Sequence, residues 1–293
     1  MTAQTAPPDA KKPKRPRPKN SLLDRVGSFI ESLPRPVAVS ITVITVLSVW
    51  QAIVTFGGVS EIILPAPLSV AGEIWVVATQ LGSGGFLLGE FWTTVQEVLM
   101  GFALAGIVGF LMGLWIGQTK FGKRAVMPLF VLIEASPKIA FTPVFIAWFG
   151  FGIASKFLMA AFMSVFPVII NTAAGMSATS EDEMRLFRSL GASRWDTFWK
   201  LKLKRALPFI FAGLKIAIVA AVTGAVAAEF IGGGVGFGEQ IRVAAARIAL
   251  DRVFALIMYL SVLGLLLFGL VSLAERRFAF WSSSSPKRKG SST

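Results

Sequence analysis

Residues 185–208, RLFRSLGASRWDTFWKLKLKRALP, form a basic, aromatic-studded stretch between two long apolar segments. Connections between neighbouring helices are usually about two to eight residues long, so a polar connection spanning 177–206 calls for a purpose, and docking of a partner is one. Residues 181–190 read as a short helix with Glu181, Asp182 and Glu183 in the first turn, where the helix dipole favours acids. Met184, Phe187 and Leu190 fall on one ridge at helical spacing, and Gly191 interrupts the helix as a glycine after the last turn commonly does. Ser193 opens a second helix, with Asp196 three residues on in a capping-box arrangement. Trp195, Phe198 and Trp199 share a face of that helix, and Lys200, Lys202 and Lys204 surround them. Two short helices meeting at a glycine suit insertion into a partner's groove. The same pattern fits aromatics lying in a membrane interface with lysines at the headgroups. The residues alone leave both open.

Outward from this loop the chain is apolar. Hydrophobic residues make up 54% of the 293, the mean hydropathy is +0.69, and several runs reach the ~20 residues that a spanning helix needs. This is the pattern of an integral membrane protein. There is no Cys and no His, which removes disulfides, His/Cys metal sites and His-based catalysis together. The net charge of +13 does not signal nucleic-acid binding, because Lys and Arg gather in four blocks: 11–35, 120–124, 185–205 and 276–289. None lies between Arg35 and Lys120, where Glu61, Glu73 and Glu90 occur. That alternation is the positive-inside pattern, with the basic blocks at anionic lipid headgroups.

The expected organisation is all-α, with about six spans and both termini cytoplasmic. Residues 1–36 read as a basic, Pro-rich, disordered tail, 37–276 as the membrane domain with its loop at 177–206, and 277–293 as a second basic tail. The spans are expected at about 37–57, 92–117, 125–149, 156–176, 207–230 and 252–274. Pro65 and Pro67 imply an extended entry after the first span. Pro128, Pro137 and Pro143 predict a kinked or broken third span, and Pro208 is expected in the first turn of the fifth. Lys138, Lys156, Lys215, Arg242, Arg247 and Arg252 are the exceptions to the charge rule, most of them near span ends or in an outer loop. The sequence shows no internal repeat.

The loop resembles the coupling segment of ABC importer permeases, whose motif runs Glu-Ala-Ala, three residues, Gly, nine residues, Ile-x-Leu-Pro. Gly191 stands at the glycine, Leu201 at the isoleucine and Leu203 at the leucine. Arg185-Leu186-Phe187 occupies the Glu-Ala-Ala place and Lys204 replaces the proline, so a base faces the partner where the family has an acid. Leu190-Gly191-Ala192-Ser193-Arg194-Trp195, Ala206-Leu207-Pro208, Ala212-Gly213-Leu214-Lys215 and Ala228-Glu229-Phe230 are also similar to the family. Ala135 to Pro143, Trp148 to Gly152, Ser155-Lys156, Leu64 to Pro67 and Phe166 to Thr172 resemble its nitrate/sulfonate/taurine-type branch, which also includes permeases for vitamin precursors and pyrimidines. The resemblance covers roughly 60–275. It implies a type I importer fold in a bacterial inner membrane, a homodimer of permeases, a separate ATPase subunit that binds ATP and magnesium, and an external substrate-binding protein. It further implies that Arg185, Leu186, Phe187, Leu190, Gly191, Ala192, Ser193, Arg194, Trp195, Phe198, Leu201 and Leu203 couple to the ATPase. This chain is expected to hold no cofactor and no metal.

Other constellations have simpler readings beside the functional ones. Ala105, Gly109, Gly113 and Gly117 recur every four residues and allow close helix packing, within one subunit or between two. Gly117 to Lys123 mimics a phosphate-binding loop, but Arg124 stands where Ser or Thr must meet magnesium and no strand precedes it. Glu134 and Lys138, at i and i+4, are either a structural ion pair or part of a translocation path, as intramembrane charges face the bundle interior or a water-filled route. Pro137 and Pro143 favour the path, because broken helices free backbone groups only where protein or water satisfies them. Asn171 and Glu229 are further path candidates, Glu229 alternatively capping the outer end of its helix. The glycines from 232 to 238 suit an outer turn that adapts to a docked protein. A secondary transporter, an intramembrane enzyme and a non-transporting scaffold are the rival classes. The missing repeat weighs against the first and the missing His and Cys against the second, while Arg185 leaves the third open.

Overall fold

The computed structural model describes residues 34–280, all helical or connecting, with no strand among the described residues. The expected tails lie outside the described residues, save for 34–36 and 277–280 at helix ends. The chain divides after Val59 into two compact units. The first holds α1, Arg35–Phe56, apolar along its whole length and begun by a proline in its first turn. Its 22 residues extend about 33 Å at 1.5 Å per residue, enough to cross a bilayer.

The second unit begins with α2 (Pro67–Gly82), which Pro67 starts after an extended Ala66. This helix carries Glu73 and, at 16 residues, is shorter than a span; Tyr259 donates its hydroxyl proton to the Ile74 carbonyl at 3.0 Å. Next come α3 (Phe86–Gln118), a wide π-helical turn at Gly122–Val126, and α4 (Met127–Glu134). A 3-10 turn at Lys138–Phe141 and α5 (Thr142–Phe149) follow, and then α6 (Ile153–Ser177). The loop contributes α7 (Glu181–Ser189) and α8 (Arg194–Asp196), from which a second π-helical turn, Thr197–Lys202, runs directly into α9 (Leu203–Gly232). The unit ends with α10 (Phe237–Ala246) and α11 (Leu250–Phe278). Five helices are long and apolar enough to cross a membrane, or six if the segments 122–134 and 138–149, bent by 86°, count as one span.

The core is α6 clasped between α3 and α9. A methyl added at Gly101, Gly109, Gly113 or Gly117 would stand 2.6–2.7 Å from a side-chain carbon of α6, from Ala160 to Met176. The small-residue stripe therefore packs within the subunit. Gly213 and Gly224 of α9 also approach α6 closely, an added carbon there standing 2.7 Å from Asn171 and 2.9 Å from Ala160. The Gly117–Lys123 stretch follows a helix and forms a turn, in which Thr119 Oγ1 accepts the Gly122 N–H at 3.0 Å.

Two expectations change. The helix that carries the fifth span begins upstream of 207, because the helix started at Ser193 continues without a break to Gly232. Pro208 accordingly sits inside that helix instead of opening it, since the start was already set by the Ser193 cap. The outer segment 232–250 also contains a helix, α10, that the glycine-rich reading missed.

Candidate functional site

Local rules build the cytoplasmic corner. Ser180 accepts the Glu183 N–H while the Glu183 carboxylate takes the Ser180 N–H, so a full capping box starts α7. Gly191 adopts φ +71, a left-handed conformation that glycine tolerates best, and the Ala192 N–H returns to the Phe187 carbonyl at 3.0 Å. Ser193 Oγ then accepts the Asp196 N–H at 3.0 Å and begins α8. Glu183 also pairs with Arg205, tying α7 to the base of α9. That pairing, with the Ser180 N–H, holds the Glu183 carboxyl below its ordinary value.

The corner has two faces. Trp195 and Leu190 are 70% and 73% exposed, and Leu186, Arg185, Arg188 and Arg194 are exposed beside them. The Trp195 ring contacts Phe198 and Trp199, with centroids 6.2 and 5.5 Å away. Leu201 is buried, and Phe198 and Leu203 pack on Met176, Ala206 and Ile210. Of the coupling residues expected from the sequence, Phe198, Leu201 and Leu203 thus anchor the corner to the bundle, while Arg185, Leu186, Leu190, Arg194 and Trp195 face outward. Phe187 is half-buried and so is Ala192. Trp195 on the exposed face lies on a helix that runs without a break into α9.

The second candidate region is the broken third span. Pro137 sits at the break, next to the 3-10 turn, whereas Pro143 lies in the first turn of α5 and is no kink. Lys138 pairs with Glu134 across the break, and its ammonium also stands 5.5 Å from the centre of the Phe166 ring, a cation–π distance. Phe130, Phe166, Phe162 and Phe145 continue from there as a chain of rings 5.3–6.0 Å apart. Asn171 does not join this region: its amide donates to the Pro167 carbonyl at 2.8 Å, and its carbons meet Gly213. A groove of about 700 Å³ between α9 and α11, reached by Ile139 of the 3-10 turn, is lined by apolar residues, Val219, Phe230, Leu260 and Phe268 among them, with Thr223 and Ser261 as polar groups. None of the charged candidates reaches it.

The third region lies at the opposite, outer end, where the N-terminus of α10 is capped by side chains from other helices. Glu90 accepts the Gly236 N–H at 2.6 Å, Thr94 Oγ1 accepts the Phe237 N–H at 2.9 Å, and Glu229 accepts the Gly238 N–H at 2.6 Å. Helix N-termini attract anions, and here protein carboxylates occupy that place. Gly236 has φ +118, and any Cβ there would stand 2.0 Å from a Glu229 oxygen, so only glycine fits. Lys156 donates to the Val235 carbonyl at 2.6 Å. Glu229, expected either on the path or as the cap of its own helix, is fully buried and caps the following helix.

Residues 105–280 match the family model of the binding-protein-dependent transport system inner membrane component. The chain belongs to that family. It is an inner-membrane permease subunit of the ABC transporter class and not an enzyme. The permease is 32% identical over 264 residues to the riboflavin transport system permease protein of Chloroflexus aurantiacus, covering 89% of this chain and 97% of that one. It is 31% identical over 276 residues to the nitrate import permease protein of Leptolyngbya laminosa, covering 92% and 96%. To the taurine transport system permease protein of Escherichia coli it is 30% identical over 256 residues, covering 85% and 91%. Relatives named for a vitamin, an inorganic anion and a sulfonate are thus about equally distant, and the nitrate/sulfonate/taurine branch is not singled out.

Sequence reading of the permease missed the outer cluster. Glu97, fully buried on α3, has one sequence signal, since a carboxylate within a spanning helix is itself a sign of a site. Lys156 stands out in the sequence as an exception to the charge rule and Thr94 not at all, and their partners, 79 and 135 residues away, carry no local signal.

Proposed function

We propose that this permease is the membrane-spanning subunit of an ATP-driven importer that works as a homodimer, with the α7–α8 corner of each copy docked on a separate ATPase subunit. That subunit binds the ATP and magnesium; this chain holds no cofactor of its own. A substrate-binding protein delivers the cargo at the outer side. ATP-driven closure of the ATPase pair pushes the corners, and the spans rock between inward- and outward-open arrangements. The observation that carries this reading is the exposed Leu186–Leu190–Trp195 patch among arginines, fixed to α9 by a buried second face. A membrane interface would also accept tryptophans and arginines, but the corner's rigid attachment to a span suits transmission of force.

The cargo is a small solute. An anion of the nitrate, sulfonate or taurine kind is supported by Lys138, whose side chain is 11% exposed at the break of the third span. The second reading is a planar heterocycle, favoured by the ring chain from Phe130 to Phe145 and by Glu134, which neutralises Lys138.

The test is purification of the tagged permease in mild detergent from its native membrane. The chain has no cysteine, so a cysteine introduced at Trp195 or Leu190 crosslinks through that position alone. Crosslinking to a co-purifying ATPase is expected, together with weaker recovery of that ATPase with Trp195→Ala. Absence of any ATPase, even after crosslinking, refutes the docking role. Ligand screening on a co-purifying binding protein decides between anion and heterocycle.

A further inference from the structure

The outer cluster contains a group that capping of α10 leaves unexplained. Glu97 is fully buried, and neither of its carboxyl oxygens receives a hydrogen bond. Lys156 Nζ lies 3.8 Å from Oε1, beyond hydrogen-bond reach, and donates to the Val235 carbonyl instead. Glu97 stands one helical turn from Thr94, which donates to Glu229, and the two carboxyl groups interact within this cluster.

The hydrogen-bond directions at Glu229 can be worked out. Thr94 Oγ1 accepts the Phe237 N–H, and its single proton goes to Glu229 Oε1 at 2.6 Å in preference to the Glu90 carbonyl at 3.4 Å. Glu229 Oε2 accepts the Gly238 N–H. Both Glu229 oxygens are therefore acceptors, the arrangement of an ionised carboxylate. Two carboxylates in contact cannot bond to each other, because neither is a donor. One proton between them supplies the donor, and Glu97, to which nothing donates, is the place for it.

We propose that Glu97 and Glu229 form a proton-binding site, with one proton carried on Glu97 and donated to Glu229, enclosed where α3, α6, α9 and α10 meet.

Charge counting supports the site. The charged groups facing it are Glu90 and Glu97 on α3, Lys156 on α6, Glu229 on α9 and, on α10, the mutually paired Glu239 and Arg242. With every carboxyl ionised, three acids would face one lysine, a costly imbalance inside a membrane protein. One bound proton reduces the excess to a single negative charge. The N-terminus of α10, carrying roughly half a positive charge, faces that charge through Gly236, Phe237 and Gly238. Gly236 and Gly238 rest so closely on Glu229 that the turn 233–236 follows its carboxylate. Losing the proton sets two negative groups against each other and loosens the outer turn. The site stands independently of cargo and ATPase.

The test is infrared spectroscopy of the purified full-length permease in detergent, with thermal unfolding across pH. At neutral pH the native protein shows the carbonyl stretch of a protonated carboxylic acid. Glu97→Gln, whose amide N–H replaces the O–H, removes that band, and Glu134→Gln does not. A proton bound in the folded state stabilises at low pH and is lost as pH rises, so the native melting temperature falls on the alkaline side while that of Glu97→Gln stays flatter. A band that survives Glu97→Gln, or equal pH profiles, overturns the site. Should Glu97→Gln not fold, Glu97→Asp must shift the band, and absence of any carboxylic acid band in the native protein at neutral pH overturns the site unaided.

Discussion

Adding one methyl group at Gly113 tests how the bundle is held. In Gly113→Ala the new carbon would lie 2.6 Å from Thr172 Cβ and 2.8 Å from the Ile169 carbonyl oxygen. Carbon atoms pack best at roughly 3.5–4.0 Å, so about 1 Å is lacking. The Ile169 oxygen belongs to the α6 backbone and cannot rotate away. The helices must therefore part at this level, and Gly109 and Gly117, in the same close contact one turn to either side, are drawn apart with it. A gap of about 0.5–1 Å forfeits roughly a quarter to a half of the attraction between atoms. Overpacking of this kind costs about 1–3 kcal/mol, while exchanging glycine for alanine in a helix returns about 1 kcal/mol. Because the fixed backbone oxygen puts this site at the upper end of that cost, Gly113→Ala should lose about 2 kcal/mol net. Gly264→Ala on α11, where an added carbon meets nothing within 4 Å, should be neutral or gain slightly. Unfolding in mixed detergent–denaturant micelles compares the two directly. A Gly113→Ala permease as stable as the native one, or an equal loss in Gly264→Ala, would refute the account of tight α3–α6 packing.

Gly191→Val places a β-branched residue at φ +71, a strain of about 1–2 kcal/mol, although nothing obstructs the added carbon; the protein should fold, bind its ATPase poorly and lose ATP-coupled uptake, and normal uptake counts against the docking role. Replacing Glu134 or Lys138 alone should harm uptake more than replacing both, because each single change leaves the other charge without its partner; additive losses would mean independent roles. Glu183, held below its ordinary value of 4.5 by Arg205 and the Ser180 N–H, stabilises the corner above that value and ceases to as pH falls through its lowered one. Limited proteolysis within 177–193 should accordingly quicken under acid, and Glu183→Gln should show the faster cleavage already at neutral pH; identical profiles would remove the pairing's role.

The cytoplasmic corner was legible because each of its signals is local. A Ser-x-x-Glu box, a glycine after the last turn and a Ser-x-x-Asp cap each act within four residues, and the structure contains all three. The spans were legible for the same reason, since hydropathy and the Lys/Arg blocks need no knowledge of neighbours. The glycine stripe announced a close contact but not its partner, and only packing identified it as α6.

What the sequence determined by itself is therefore the membrane class, the apolar segments long enough to cross and the two-helix corner. Tertiary structure alone decided the break geometry at Pro137, the place of Pro208 inside a continuous helix and the outer cluster. Glu90 meets Gly236 across 146 residues and Thr94 meets Glu229 across 135. No periodicity or cap links positions so distant; only the packing of α3, α6 and α9 fixes which buried polar group meets which.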